Sequence, residues 1–140
     1  MTEGDGGIVF LDSAEAPQQV DVEIGGGRRV AHTCRAPEKT SDNEDSVAAI
    51  PYGPDAAVLV VADGAGGLPA GRRASRTAVR SLEASLQTAA QETMLLRTAI
   101  LNGIETANEA VLALGSGSAT TMTVVTMEGR IARSYQGGGS

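Results

Sequence analysis

The sequence predicts an α+β fold, because two helices follow each other directly instead of alternating with strands. Apolar residues recur every three to four positions across residues 70–89 and again from Thr93 to about Leu114, which is the spacing of amphipathic helices. Gly103 lies inside the second helix at a cost of about 1 kcal/mol relative to Ala, and we interpret it as a point of close packing against the first helix. The segments on both sides of this pair have the patterns of strands.

Strand signals dominate the chain before the helices and return after them. Residues 20–24 alternate in polarity, and an extended segment at 29–34 follows the glycine turn at 25–27, which predicts a β-hairpin. The run at 56–62, AAVLVVA, is continuously apolar and predicts a buried central strand. Further strands are predicted at 47–50, 120–127 and 130–136.

The composition changes at both ends of the chain. Residues 1–19 are polar and rich in glycine at the start, so we expect a flexible tail there. One domain is predicted at 20–136. Residues 137–140, GGGS, have the composition of a flexible linker, which is either natural or left by cloning.

Charge and cysteine content narrow the class of protein. The formal net charge is −6, which argues against a surface that grips nucleic-acid phosphates. Cys34 is the only cysteine, so an intrachain disulfide is impossible and a reducing compartment is indicated. No apolar run approaches the about 20 residues that cross a bilayer, and the acidic N-terminus does not read as a signal peptide. We therefore expect a cytoplasmic protein that binds neither nucleic acid nor membrane.

Two acidic positions are candidates for binding a divalent cation. Asp42-Asn43-Glu44-Asp45 precedes one predicted strand, and Asp63-Gly64 ends another. Hard cations prefer carboxylate and carbonyl oxygens, and a glycine lets a backbone carbonyl approach the ion closely. Each motif alone is more typical of a solvated loop or a turn. Together they favour a cation site, provided that the two strands are neighbours.

Other catalytic arrangements have less support in the sequence. The glycine-rich segment at 64–71 lacks the lysine of a phosphate-binding loop, and Asp63 directly before it would repel an anion. His32 is the only histidine, and no GxSxG nucleophile motif accompanies it. We interpret His32 as a structural residue.

Several segments, in order, resemble the metal-dependent serine/threonine protein phosphatases of type 2C. They read NEDS at 43–46, VLVVADGAGG at 58–67, AGRRASRTAV at 70–79, TAILNGIETANEAV at 98–111 and SATTMTVV at 118–125. The resemblance runs from about residue 30 to residue 135. It implies the N-terminal part of an αββα sandwich, in which antiparallel sheets pack with two long antiparallel helices.

The resemblance also implies an activity and a site. A water bridging two Mg²⁺ or Mn²⁺ ions would attack the phosphorus of a phosphoserine or phosphothreonine in a protein substrate, because two cations lower the pKa of the water and balance the charge on the phosphoryl group. By matching position, Asp63 would bridge both ions and Gly64 would offer its carbonyl oxygen to one of them. Asp45, with Glu44 beside it, would supply the acidic contact on the other strand.

The chain departs from the family pattern in ways that shape the prediction. Thr40 stands where the family usually has an arginine that holds the substrate phosphate, so Lys39 or Arg35 is the candidate substitute. The family domain continues with a second half that supplies further metal-binding aspartates. We therefore expect an incomplete metal site and either a dimer or a complementing second-half chain. The alternative to a catalytic phosphatase is a non-catalytic phosphatase-like module that binds or regulates a phosphoprotein.

Overall fold

A computed structural model describes residues 2–3, 9–12, 18–24, 27–33, 45–65, 69–115 and 117–139, with side chains at 45–65, 69–115 and 117–138. The elements in chain order are β1 Thr2–Glu3, β2 Val9–Asp12, β3 Gln18–Ile24, β4 Gly27–Thr33, β5 Asp45–Tyr52, β6 Ala56–Ala65, α1 Ala70–Gln91, α2 Leu96–Leu114, β7 Ala119–Glu128 and β8 Ile131–Gly139.

The strands form two antiparallel sheets. Six of them lie in one sheet in the order β1-β2-β5-β6-β7-β8, and β3 and β4 pair separately as the predicted hairpin. Two consecutive helices therefore interrupt an all-antiparallel strand order, which confirms the predicted α+β class and the partial sandwich. No described helix combines the length and apolarity that a membrane span requires.

The core lies between the helix pair and one face of the larger sheet. Side chains alternate along each strand, so every second residue of β5, β6 and β7 is buried under the helices. The core is almost entirely aliphatic, since only 2% of the residues of the chain are aromatic. Its largest fully buried apolar side chains are Ile50, Val58, Val60, Val79, Leu82, Leu86, Ile100, Val111 and Val124.

Gly103 lies where α2 approaches α1 most tightly, which confirms its interpretation as a point of close packing. A Cβ atom at this position would lie 2.6 Å from the Cδ1 atom of Leu82, well inside van der Waals contact. The connection between the two helices is bound to the sheet by Tyr52, whose hydroxyl donates to the Met94 carbonyl. Burial raises the pKa of the Tyr52 phenol above its usual value.

The structure extends several predicted elements. β1 and β2 lie within the expected tail at 1–19, and they continue the sheet beyond β5. β8 continues through Gly139 instead of ending at residue 136, with Gly137, Gly138 and Gly139 opposite residues 120–122 of β7. A Cβ atom at position 137 would lie 2.7 Å from the Ile104 Cγ2 atom. This glycine therefore allows α2 to approach β8.

Helix α2 begins at Leu96, three residues later than the pattern predicts. Thr93 lies in the connection with a φ of 53°, a left-handed conformation that interrupts a helix. The extended Leu95 precedes the first turn, and the Ala99 amide donates to its carbonyl. The connection is therefore a sharp turn between two helices, which brings them into antiparallel contact.

Candidate metal site at the end of strands β5 and β6

Asp45 and Asp63 lie directly opposite each other at one end of the larger sheet. Asp45 is the first residue of β5, and the antiparallel register pairs it with Asp63 of β6. The Asp45 side chain is half-buried and that of Asp63 is exposed. Residues in such pairs have Cβ atoms about 4.5–5.5 Å apart, so both carboxylates are within reach of one cation. Asp45 and Asp63, one residue from each acidic motif, therefore lie on neighbouring strands.

The two carboxylates share the sheet face that points away from the helices. Ser46 and Ala62, the next residues along their strands, are buried under the helices, and alternation places Asp45 and Asp63 on the opposite face. Thr121 of β7 is opposite Asp63 in the register and continues this row on the same face. A polar row thus crosses three strands at this end of the sheet.

Gly64 lies within β6, because the strand continues to Ala65 rather than ending at residue 62. Thr120 of β7 is opposite Gly64, and its hydroxyl oxygen lies 3.0 Å from the Asp63 carbonyl oxygen and 3.1 Å from the Thr121 carbonyl oxygen, two acceptors for its one hydrogen. The β5–β6 pairing ends at Asp63, so Gly64 is opposite none of the described residues of β5. Its carbonyl oxygen is a candidate third donor beside the two carboxylates.

A buried hydroxyl pair fixes α1 to the strand beside Asp45. Ser46 and Ser75 are essentially inaccessible to solvent, and their hydroxyl oxygens are 3.0 Å apart. The Ser75 hydroxyl also donates to the Arg72 carbonyl at 3.2 Å. Since a serine has one hydroxyl hydrogen, Ser46 donates to Ser75 while Ser75 donates to Arg72. The start of α1 is therefore held against the start of β5.

Ser75→Ala should lower the free energy of unfolding by about 1–2 kcal/mol, because it leaves the buried Ser46 hydroxyl without its acceptor. Chemical denaturation measures this loss. In a double-mutant cycle, Ser46→Ala should cost less in the Ser75→Ala background than in the wild-type protein. Equal costs of Ser46→Ala in both backgrounds would show that the two hydroxyls do not stabilise the fold through each other.

Comparisons with known proteins identify the family of the chain. A family model described as Protein phosphatase 2C matches residues 36–136. The chain belongs to the protein phosphatase 2C family. Among solved structures, the fold is similar to that of the S. agalactiae serine/threonine phosphatase, with a TM-score of 0.59 and 23% sequence identity. No curated protein matches the sequence significantly.

This phosphatase 2C chain is short relative to its structural neighbour. The match covers 81% of this chain and 45% of the S. agalactiae chain. The chain thus spans less than half the length of that phosphatase. At 23% identity the likeness shows the fold alone.

The remaining predicted site residues lie outside the described part of the chain. Glu44, Lys39 and Arg35 fall in the segment at 34–44, as does Cys34, and His32 is described only as a backbone position in β4. Within the residues whose side chains are described, no three His, Cys, Asp or Glu side chains are grouped as a metal-binding cluster. The oxygen donors that the described residues bring together at this end of the sheet are the carboxylates of Asp45 and Asp63.

Two contributors to the site were not predicted from the sequence. Thr120 holds the Asp63 backbone, and Ser75 holds α1 beside Asp45. The only sequence signal for Ser75 is a polar residue on the apolar stripe of α1, at a position that the structure shows to be fully buried. Neither partner could be named without the pairing of strands and helices, because both contacts join residues that are far apart in the chain.

Proposed function

We propose that this chain carries part of a site at which a protein phosphatase hydrolyses phosphoserine or phosphothreonine with Mg²⁺ or Mn²⁺. The observation that supports this most is the direct opposition of Asp45 and Asp63 across β5 and β6. Membership of the protein phosphatase 2C family supports the reaction class. Protein substrates, the metal and a cytoplasmic location belong to this proposal.

The chemistry of the donors fits a hard divalent cation. Asp45, Asp63 and the Gly64 carbonyl offer oxygen atoms only, which Mg²⁺ and Mn²⁺ prefer. A bound cation supplies positive charge against the phosphoryl group and lowers the pKa of a nearby water. Glu44, as the neighbour of Asp45, would add a further carboxylate. The described donors suffice for one ion held weakly rather than for two.

The contribution of the chain is to hold these oxygens at fixed positions. Metal and catalytic groups need placement within about 0.5 Å, and ladder hydrogen bonds between β5 and β6 provide a rigid frame for the two carboxylates. Thr120 holds the Asp63 carbonyl toward β7. Lys39 or Arg35 would hold the substrate phosphate in place of the family arginine.

A second candidate function is a non-catalytic module that binds or regulates a phosphoprotein. The observation that favours it is the small donor set, since no third carboxylate joins Asp45 and Asp63 among the described side chains. Such a module would bind a cation or a phosphoprotein without hydrolysing the phosphate ester.

Hydrolysis of p-nitrophenyl phosphate during a Mn²⁺ titration tests which function this chain performs. A catalytic site should give a rate that rises with Mn²⁺ and disappears when a chelator is added. Mn²⁺ binding by calorimetry without hydrolysis at any concentration would favour the non-catalytic module. Absence of both binding and hydrolysis would contradict the proposed metal site.

We propose also that a second copy or a complementing second-half chain covers the sheet face that carries Asp45 and Asp63. On this face Ala49 and Ala57 are buried and Leu59 is half-buried, whereas Val61 remains 46% exposed. Ala49 and Ala57 are already covered within the chain, where β4 contacts β5, so the apolar part left open to water is around Leu59 and Val61. Such partly exposed apolar side chains are what a second layer of the sandwich would cover.

Light scattering coupled to size-exclusion chromatography measures the mass of the chain in solution. We expect the mass of two chains at micromolar concentration, and Val61→Lys should shift the equilibrium toward one chain by placing charge on the apolar face. Leu112→Lys, which places the same charge on an exposed apolar side chain of α2, is the matched control. A wild-type monomer with a cooperative thermal transition would contradict the expected partner.

A further inference from the structure

We propose that four arginines in the first three turns of α1 form a docking surface for acidic residues that flank the phosphorylated residue of a protein substrate. These residues, the α1 arginine patch, are Arg72, Arg73, Arg76 and Arg80. The proposal rests on the phosphatase function given above and adds a substrate class to it.

The patch is a local concentration of positive charge in an acidic protein. Residues 69–80 contain four arginines and no acidic residue, whereas the rest of the chain holds all 17 acidic residues and seven of the 11 basic ones. At about 100° of rotation per helical residue, the four arginines fall within a sector of about 100°. Arg73, Arg76 and Arg80 are exposed and Arg72 is half-buried, so the sector faces solvent.

This arrangement opposes the stability of the helix. The N-terminus of a helix carries partial positive charge and favours acidic side chains, yet the first turn of α1 has none. Arg72, Arg76 and Arg80 are also spaced at four residues, where like charges repel. Glu83 offsets part of this repulsion, with a carboxylate oxygen 3.4 Å from the Arg80 guanidinium. Helix stability therefore does not account for the patch, and local rules are most often broken at functional sites.

A surface cavity gives the patch a shape that suits an acidic side chain. The cavity has a volume of about 300 Å³ and is lined by Pro69, Arg72, Arg73, Arg76 and Thr77. Three arginines and a threonine contribute to its wall, and guanidinium groups bind carboxylates through paired hydrogen bonds. Arg72 and Arg76 also interact within the chain, while Arg73 and Arg76 remain exposed.

The patch has a fixed position beside the candidate metal site. Ser75, on the buried side of the same turns, is bound to Ser46, which directly follows Asp45. The patch is therefore at the same end of the sheet as Asp45 and Asp63, but on the helix side. Asp45 and Asp63 lie on the face of the sheet that points away from α1, so the path to the patch is longer than the about 10 Å between packed layers and takes more than about three residues of extended peptide. An acidic run that extends to about six positions from the phosphorylated residue would reach the patch.

The charge distribution favours a short acidic peptide over a nucleic acid. A long polyanion would contact surface beyond the patch, and the net charge of −6 on the whole chain would repel it. A peptide segment with two or three acidic side chains matches the extent of the patch. Its binding should weaken as salt concentration rises, because exposed ion pairs are screened.

Fluorescence anisotropy with the full chain tests the proposal. The probes are a labelled phosphothreonine peptide with a run of Asp and Glu three to six residues from the phosphothreonine, and the same peptide with a neutral flank. We expect the acidic flank to tighten binding about tenfold at low salt, and the double variant Arg73→Gln, Arg76→Gln to remove this difference. The control is the double variant Arg97→Gln, Arg133→Gln, which neutralises two arginines that line another cavity. This variant should retain the difference in affinity between the two peptides.

Each alternative outcome would overturn the proposal. Equal affinity of the wild-type chain for the two peptides would exclude a docking role for the patch. The same conclusion would follow if both double variants lost the same amount of affinity for the acidic peptide. A single-stranded oligonucleotide that binds more tightly than the acidic peptide would assign the patch to nucleic acid instead. The thermal midpoint of the double variant Arg73→Gln, Arg76→Gln should not fall, which shows that any loss of peptide binding does not come from unfolding. Failure of p-nitrophenyl phosphate hydrolysis would contradict the catalytic function but leave this binding measurement valid.

Discussion

Asp63→Asn is expected to abolish Mn²⁺-dependent hydrolysis and to lower Mn²⁺ affinity by at least about tenfold. Asp63 and Asp45 face each other across two paired strands, so the substitution removes one of two facing carboxylates while it keeps the shape of the side chain. Loss of a group that only orients a ligand already costs about 10–100-fold in metal affinity. Loss of a direct ligand should lower the metal affinity by at least as much. Calorimetry measures the affinity, and p-nitrophenyl phosphate hydrolysis measures the rate.

Asp55→Asn is the matched control for this substitution. Asp55 is an exposed aspartate in the turn between β5 and β6, at the opposite end of the two strands, so its neutralisation should change neither quantity. Without metal, the thermal midpoint of Asp63→Asn should not fall, because like charges directly opposite in a sheet are unfavourable. Unchanged Mn²⁺ affinity in a folded Asp63→Asn protein would contradict the assignment of Asp63 as a ligand.

Leu82→Ala is expected to lower the free energy of unfolding by about 3 kcal/mol. Leu82 is fully buried on the sheet-facing side of α1, and truncation of buried leucines costs about 2.7–5 kcal/mol through lost burial and a residual cavity. The residue across the helix interface is Gly103, which has no side chain that could move into the space. Chemical denaturation followed by circular dichroism measures the loss.

Leu112→Ala provides the control for the loss of leucine from a helix. Leu112 is 57% exposed on α2, so the same truncation should change stability by no more than about 0.5 kcal/mol. Gly103→Ala should restore part of the loss in the Leu82→Ala background, since it fills space beside the truncated side chain and removes a helix-interior glycine. Equal losses for Leu82→Ala and Leu112→Ala would contradict the packing of α1 against α2.

Periodicity and breaker residues predicted much of this fold. The three-to-four-residue spacing of apolar positions in α1 predicts its buried face, including Leu82 and Leu86, without knowledge of how the strands pair. Gly103 indicated the tight helix contact, because an isolated glycine inside a strongly periodic helix needs a packing reason. These signals depend on residues that are close together in the chain, and such short-range patterns can be recognised in a single sequence.

Pairing across distant segments was not predictable in the same way. The opposition of Asp45 and Asp63 depends on the register of β5 and β6, and a slip of one residue would place the two side chains on opposite faces of the sheet. The pairing of β8 through its glycines depends on a long neighbouring strand and on the approach of Ile104. The composition of residues 137–140 is that of a linker, because glycine has no side chain from which a strand pattern could be recognised.

The hydroxyl contacts that support the site illustrate the same limit. Thr120 reaches the Asp63 carbonyl across 57 residues of sequence, and Ser75 reaches Ser46 across 29. The residue types are ordinary for a strand and a helix, so their pattern gives no reason to single them out. Their function becomes visible only when the sheet and the helix layer bring them together at the strand ends.

Mn²⁺ affinity across a double-mutant cycle of Asp45→Asn and Asp63→Asn tests the central claim most directly. If both carboxylates hold the same ion, each single substitution should weaken binding at least about tenfold, and the double variant should lose much less than the product of the two effects. Two independent, multiplicative effects would place the carboxylates at separate ions. Wild-type affinity in either single variant would contradict a shared cation site at the ends of β5 and β6.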